Sequence, residues 1–510
     1  MDFVTYSVEL VQSSGGHGEL TGTRVLSALV NSDRFAEETL RAIGTMSDVV
    51  EKLIEMLNWK NHHEQEIRRA AAEIITKLVR KNRNCIRVAA IAGSLESIAS
   101  LLYDSKQIEI HSRDYDNTNN LHRQYGDPYL GEYEYSVFSL LGLRILKNLA
   151  KDHVNCAKIG SSKDLLPKII GLAEINPNTP KSEIKTVKLA LHLVRMLASS
   201  TGFTGKILRK EISEIVFAIS NLRDILHYRE ISTHGLQILA IDTLTSLALD
   251  DEGRESIGST GGVLRDLFSM FFMDRNIDGG GDDETTTKLV TKAGEALALL
   301  ALESKNNCRR MISIDLQNRT KYESNLIAQL VSVLEDEIQG MHAARILRNL
   351  CAYTETDYAE LYEVTTAAAQ AVKFSMEKRG AHQEAAIGLA AQIFKFMTEL
   401  KFNRVFKEWR AVTKRLLISE LVEVFRRHPR PSKEVASIRR FSIELLIAVM
   451  EKDDKAALEE RTDLVNALEG VMETTSEMES YSTFSGSVGL SRHRIPIHSL
   501  VQSAMELLRD

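Results

Sequence analysis

Residues 240–267 read AIDTLTSLALDDEGRESIGSTGGVLRDL and contain the pattern that decides the fold. Leu244 and Leu247 lie on one face of a predicted helix, and a turn with Asp, Gly and Ser follows them. A second apolar strip at Leu264 and Leu267 has the three-residue spacing of another helix. The stretch therefore predicts one structural unit: a helix, a glycine-bearing turn and a further helix.

The helix-ending pattern of this unit recurs along the chain. Two apolar residues separated by two positions form this pattern, and it occurs nine times. We call the second residue of each pair an anchor. The anchors are Leu29, Leu78, Leu149, Leu197, Leu247, Leu300, Leu350, Phe396 and Val449. They are 46 to 53 residues apart, except for one gap of 71 that contains the polar insert 104–134. Because a single unit cannot bury its apolar faces alone, the period predicts stacked helical repeats.

Composition agrees with an all-helical, folded chain. Only seven of the 510 residues are proline, which helix interiors reject, and 44% are hydrophobic. The net charge of −6 supplies no general attraction for nucleic acid, so nucleic acid is an unlikely partner. Four cysteines and no recognisable signal peptide predict free thiols and an intracellular, unsecreted protein. We expect a cytoplasmic location, with membrane-associated or nuclear location as the alternatives.

Residues 143–170, LRILKNLAKDHVNCAKIGSSKDLLPKII, and 240–267 resemble armadillo repeats. In that family a helix ends in a Leu-Ser-Asn-Leu-Ala-like motif, and an Asn/Gly turn and a Gly-capped helix follow. The resemblance covers about 22–472, and the whole chain looks like the armadillo-repeat proteins of plants. It implies an all-α, right-handed superhelical solenoid of armadillo/HEAT-like helical repeats, with HEAT type left open for individual units.

The same resemblance predicts how the chain is organised. We expect an N-terminal segment at 1–21, a solenoid of about nine units at 22–472, and a final part at 473–510. That final part combines a Ser/Thr-rich loop with a C-terminal capping helix. Longer relatives with N-terminal hydrophobic segments would make this chain a shortened form.

The resemblance also predicts where a partner binds, because the anchor helix lines the concave face in armadillo proteins. Importins of the family hold basic peptides there with a ladder of Trp and Asn. Only Asn148 and Asn349 match the Asn positions of this chain, and none of its nine Trp positions holds Trp. A karyopherin-like carrier is therefore disfavoured. The residues expected on the concave face are Glu73, Arg144, Asn148, Asp242, Glu295, Arg345 and Asn349.

These charges of both signs favour a protein partner of unknown identity, with plain solvated helix faces as the alternative reading. A second candidate is the region 401–440, which has twelve Lys/Arg against four Asp/Glu. Its basic residues include Arg404, Lys407, Arg410, Lys414, Arg415, Arg426 and Arg427. They favour an alternative function as a peripheral membrane adaptor that binds anionic lipid.

Metal and catalytic sites are not expected. Asp274, Asn276 and Asp278 match positions 1, 3 and 5 of an EF-hand calcium loop, but Thr285 replaces the required glutamate at position 12. A flexible acidic loop is the better reading. Cysteines at equivalent places in different repeats are kept apart by a solenoid, so we expect buried thiols instead of a zinc site. The sequence has no phosphate-binding loop or nucleophile elbow, so we expect no enzyme, cofactor or small-molecule substrate.

Overall fold

The computed structural model describes residues 3–13, 16–103, 129–176, 179–228, 234–273, 283–314, 325–353, 364–408, 413–453, 459–484, 487–493 and 495–509. The chain divides into two compact units, Met1–Leu247 and Ala248–Asp510. We call them the N-terminal unit and the C-terminal unit. Both are built from helices packed as repeats, which confirms the predicted all-α solenoid class; the described strands form one small hairpin.

The described helices of the N-terminal unit are α1 Phe3–Gln12, α2 Gly16–Asn31, α3 Ala36–Ile43, α4 Ser47–Met56, α5 Gln65–Leu78, α6 Asn82–Ala90, α7 Ser94–Ala99, α8 Tyr129–Leu149, α9 His153–Ser161, α10 Leu165–Gly171, α11 Ile184–Ala198, α12 Gly202–Glu214, α13 Ala218–His227 and α14 His234–Leu247. From α3 onward they come in groups of three, and we call the last helix of each group a third helix. Counting α2, the third helices α2, α5, α8, α11 and α14 pack side by side in one layer.

The described helices of the C-terminal unit are α15 Asp251–Ser259, α16 Val263–Phe271, α17 Asp283–Ala301, α18 Lys305–Ile312, α19 Leu326–Ser332, α20 Gln339–Tyr353, α21 Ala368–Glu377, α22 Gly380–Phe396, α23 Glu399–Glu408, α24 Lys414–Arg427, α25 Ile438–Met450, α26 Arg461–Thr474 and α27 Ile497–Arg509. Here α17, α20, α22 and α25 form the layer of third helices, and α27 packs on α25.

The anchor pattern marks the ends of the third helices, as the sequence predicts. All nine anchors lie within the last four residues of α2, α5, α8, α11, α14, α17, α20, α22 or α25. Seven of the nine anchor side chains are buried, and Leu29 and Phe396 are half-buried. A fully buried leucine contributes about 2 kcal/mol by leaving water, so each buried anchor stabilises its repeat.

The turns after α5, α8 and α17 are closed by polar groups whose role the sequence did not reveal. The amides of Asn84, Asn155 and Asn307 donate to the carbonyl oxygens of three anchors, at 3.1, 3.2 and 3.0 Å. The neighbouring thiols of Cys85 and Cys156 donate to the next carbonyl along each helix. Helix ends leave such carbonyls without partners, so the Asn-Cys pair caps the preceding helix. All four cysteines are buried free thiols, as predicted.

A residue with left-handed backbone conformation precedes the second helix in three of the groups. Gly93 and Gly262 precede α7 and α16 with φ of 73° and 92°, a conformation that glycine adopts without steric cost. At the equivalent point before α10 the chain has Asp164, with φ of 60°. The glycine-capped entry that the repeat pattern predicts is therefore present in two repeats and replaced by aspartate in a third.

The two ends of the chain differ from the expected organisation. In the N-terminal segment 1–21 the structure has α1 and the start of α2, and these two helices pack together, so the helical array begins before residue 22. In place of the expected Ser/Thr-rich loop, 473–510 contains a 3-10 helix, Glu477–Ser480, and an antiparallel hairpin of β1 Tyr481–Phe484 and β2 Ser487–Arg492. The chain ends on α27. Of the insert 104–134, residues 104–128 lie outside the described part, and 129–134 belong to α8.

Candidate partner-binding surface

In the N-terminal unit the predicted concave-face residues lie in the layer of third helices. Glu73 is in α5, Arg144 and Asn148 are in α8, and Asp242 is in α14. The Glu73 carboxylate accepts hydrogen bonds from Arg69 at 3.3 Å and from the Ser27 hydroxyl at 3.1 Å. Arg144 is exposed and has no carboxylate within ion-pair distance among the described residues. The structure thus brings these residues onto neighbouring helices but leaves Arg144 available.

The main feature of this layer is a group of basic side chains on α8 and α11. We call Lys147, Lys151, Lys188, His192 and Arg195 the α8–α11 basic cluster. The first two lie at the end of α8 or just beyond it, and the others are spaced three or four residues apart on α11, so they share one face of that helix. Of the residues predicted for the concave face, Arg144 lies one helical turn before Lys147, and Asp242 lies beside Arg195.

The electrostatics show how closely these charges crowd. Burial lowers the pKa of Lys147, and the positive charges of Lys151, Arg195 and Lys188 lower it further. His192 has its pKa lowered to about 4, first by burial and then by the charges of Lys147, Arg195 and Lys188. The His192 imidazole is therefore neutral near pH 7.

Little negative charge offsets the cluster. Asp242 of α14 lies 3.8 Å from Arg195, at the far limit of an ion pair. For Lys147, Lys151 and Lys188, no carboxylate among the described residues comes within ion-pair distance. Like charges held together without partners cost free energy, which an anionic ligand recovers.

The predicted residues of the C-terminal unit are engaged inside the unit. Glu295 in α17 pairs with Lys292 at 3.0 Å, and Arg345 in α20 lies 3.7 Å from the buried carboxylate of Glu384. Asn349 is buried, and its amide donates to the Ala298 carbonyl of α17 at 2.8 Å. The Arg345 and Asn349 contacts join α20 to α22 and α17, whereas the Glu295 pair lies within α17. Asn349 is buried and presents no side-chain group to a partner.

The side chain of Arg348 makes a contact across a neighbouring helix that the sequence did not predict. A Cβ added at Gly388 of α22 would lie 3.0 Å from Arg348 Cδ and 2.9 Å from the Phe441 ring, so only glycine leaves room there. The Arg348 guanidinium of α20 thereby reaches over α22 and lies 4.1 Å from the centroid of Phe441 on α25. Beside it, burial and then the charges of Arg440 and Arg348 lower the pKa of His493 to about 3. Arg348 and Phe441 thus join α20 to α25 across α22, and His493 at the end of the hairpin lies close to them.

Several cations of the basic region 401–440 pair with acidic residues. In α24, Lys414 lies 2.5 Å from Asp453, Arg415 lies 2.6 Å from Glu459, and Arg426 contacts both Glu423 and Asp463 at 2.6 and 3.0 Å. Arg427 pairs with Glu420. Arg404 and Lys407 lie in α23, and Arg410 lies outside the described residues. Four of the seven named cations therefore have carboxylate partners, which leaves this region less available for anionic lipid than its composition indicates.

Other predicted sites can be placed only in part. The calcium-loop residues Asp274, Asn276 and Asp278 lie outside the described part of the chain. Among the described residues no group of His, Cys, Asp or Glu is arranged to hold a metal ion. Likewise, no described helix is long and apolar enough to cross a membrane.

Comparisons with known proteins agree on the fold. No protein-family model matches the chain, and no curated protein matches it in sequence. Solved structures do match. One is an engineered protein, with 15% identity, a TM-score of 0.60 and complete coverage of both chains.

Another comes from a structure of a phosphorylation switch that controls the interaction between cadherin and β-catenin. It is 12% identical with a TM-score of 0.59, and the match covers 100% of this chain and 94% of the other. At such low identity the likeness shows the fold alone. Together with the repeat geometry, it establishes that this chain is a helical-repeat solenoid of the kind seen in those structures.

Proposed function

We propose that this chain is a non-catalytic scaffold that binds a protein partner through the concave face of an armadillo-like solenoid, the face formed by its third helices. The observation that supports this function most is the positive charge of Lys147, Lys151 and Lys188, for which no described carboxylate lies within ion-pair distance, next to the exposed Arg144. A side-by-side layer of helices presents a broad, rigid surface on which such charges cost free energy unless a ligand meets them.

Two further parts of the proposal have weaker support. The recurring anchor and Asn-Cys turns favour membership of the armadillo-repeat superfamily, including its plant members, and the buried free thiols favour an intracellular location. Membrane association through 401–440 is the lesser alternative, because most of the cations named there are paired.

Affinity purification from the native cell, with charge reversal on two faces, tests this function. Arg144→Glu changes the third-helix face, and Arg83→Glu makes the same change at an exposed position of α6. We expect the partner to be recovered with wild type and Arg83→Glu at equal yield, and lost with Arg144→Glu. Equal recovery with all three proteins would refute binding through this face.

A further inference from the structure

Resting on the proposed function, we infer that the α8–α11 basic cluster is a binding site for a short acidic polypeptide segment. The cluster joins Lys147 and Lys151 of α8 to Lys188 and Arg195 of α11, with His192 between them. Four cations share this surface, and among the described residues only the carboxylate of Asp242 lies within ion-pair distance of any of them. A ligand with several carboxylates is the chemistry that balances this charge.

The crowding of these charges is a property of the folded unit. α8 and α11 are neighbours in the third-helix layer, and α11 presents Lys188, His192 and Arg195 on successive turns. The positive charges of Lys188 and Arg195 lower the pKa of both Lys147 and His192. The basic groups of the two helices are therefore close enough to interact. Ordinary surface lysines spread apart or pair with acidic residues; these are held together by helix packing.

The neighbouring helices limit how long the acidic ligand can be. Glu73 on α5 lies on one side of the cluster, and Asp242 on α14 lies on the other. Packed helices are about 10 Å apart, so the positive strip on α8 and α11 is about 20 Å wide. An extended chain covers about 3.3 Å per residue, so about six residues fit before the flanking carboxylates repel further negative charge.

This limit favours a polypeptide over a nucleic acid or a lipid surface. A nucleic acid carries a regularly spaced charge along its whole length and meets the carboxylates of Glu73 and Asp242 as it leaves the strip. The cluster also has no Phe, Tyr or Trp on which bases stack. A short acidic stretch between neutral residues matches both the positive strip and its acidic flanks.

Peptide binding to the complete chain tests the inference. The probe is a fluorescent hexaglutamate peptide, with hexalysine as the control for charge sign. Lys147→Glu/Lys188→Glu reverses the cluster, whereas Lys163→Glu/Lys206→Glu makes the same change in charge at exposed lysines of the same unit away from α8 and α11. We expect the first pair to weaken hexaglutamate binding by at least about tenfold and the second pair to change it less than about twofold.

A second variant guards against misfolding of the first. Lys151→Glu/Lys188→Glu changes two exposed side chains, so its helix content should match wild type by circular dichroism while binding still falls. In addition, hexaglutamate should raise the titration midpoint of His192, followed by its imidazole NMR signal. The groups facing that ring are Lys147 from α8 and Lys188 and Arg195 from its own helix, and Asp242 of α14 lies beside Arg195.

Three results would overturn the inference: no binding of hexaglutamate to wild type, equal weakening by both pairs of substitutions, or tighter cluster-dependent binding of anionic phospholipid vesicles or oligothymidylate. These failures are separate from failure of the proposed function. If Arg144→Glu abolishes capture of the natural partner but hexaglutamate does not bind, the third-helix face still binds a protein and only the acidic character of that partner is wrong.

Discussion

Arg68 should be worth several kcal/mol to the N-terminal unit although it pairs with no carboxylate in the described residues. It is fully buried in α5, and its guanidinium donates to the Leu57 carbonyl at 2.7 Å, the Tyr103 hydroxyl at 2.8 Å and the Ser100 carbonyl at 2.8 Å. Its Cζ also lies 4.7 Å from the ring centroid of Phe138 in α8. One side chain thus joins the ends of α4 and α7 to α5 and α8.

The expected cost of Arg68→Ala follows from these contacts. Each charge-assisted hydrogen bond contributes about 1.5–3 kcal/mol, and truncation leaves the Ser100 carbonyl and the Tyr103 hydroxyl without this donor and a cavity behind. Since the three bonds share one group and are not additive, we expect a loss of about 4 kcal/mol. The matched control is Arg69→Ala, where an exposed pair with Glu73 at 3.3 Å is worth about 0.5 kcal/mol or less.

Amide hydrogen exchange under native conditions is the suitable assay, because it reports the opening of individual helices in a chain with two units. Arg68→Ala should speed exchange of the slowest α5 and α7 amides by about a thousandfold, and Arg69→Ala by less than about threefold. If the two variants exchange alike, Arg68 does not stabilise this unit through its buried contacts.

Three other outcomes are expected. Gly258→Ala should destabilise the C-terminal unit by about 2–3 kcal/mol in urea unfolding, because the new Cβ would overlap the Asn307 amide that caps α17. The control Gly261→Ala should be nearly neutral, because its Cβ meets no atom within 4 Å. The pKa of His342 is lowered by burial to about 3, so the unfolded chain binds its proton first. As pH falls from about 6.5 to 3, α20 should therefore lose about 1.4 kcal/mol of stability per unit, and His342→Gln should flatten that slope in exchange measurements. Burial raises the pKa of Cys351 to about 12, so maleimide at pH 8 should label it only after denaturation.

Much of the fold was predictable because structural repeats produce a regular spacing of apolar residues in the sequence. Leu78 and Leu149 were expected at helix ends and lie there, since burial of one apolar face per turn needs only local spacing. Asn84, in contrast, caps the helix before its own, and nothing in its immediate sequence shows that its amide would find the Leu78 carbonyl. The role of Gly388 was equally hidden in the sequence, because the space it leaves is occupied by Arg348 from another helix.

The candidate surface was only partly predictable, because net charge depends on which residues the fold brings together. Arg144 was expected on the third-helix face and is exposed there, but the adjoining Lys147 and Lys188 were not singled out. These two lysines are 41 residues apart in the sequence. Only the packing of α8 on α11 brings them onto one surface. The composition of 401–440 likewise did not show that Asp453 and Asp463, beyond that region, pair with two of its cations.

Photo-cross-linking in the native cell tests most directly the claim that the third-helix face of the N-terminal unit binds a protein. A benzophenone amino acid replaces Arg144 on α8 in one protein and Arg83 on α6 in another, both at exposed positions. We expect the probe at position 144 to form a discrete cross-link to a partner and the probe at position 83 to form none. Cross-links of equal yield from both positions, or from position 83 alone, would contradict the claim.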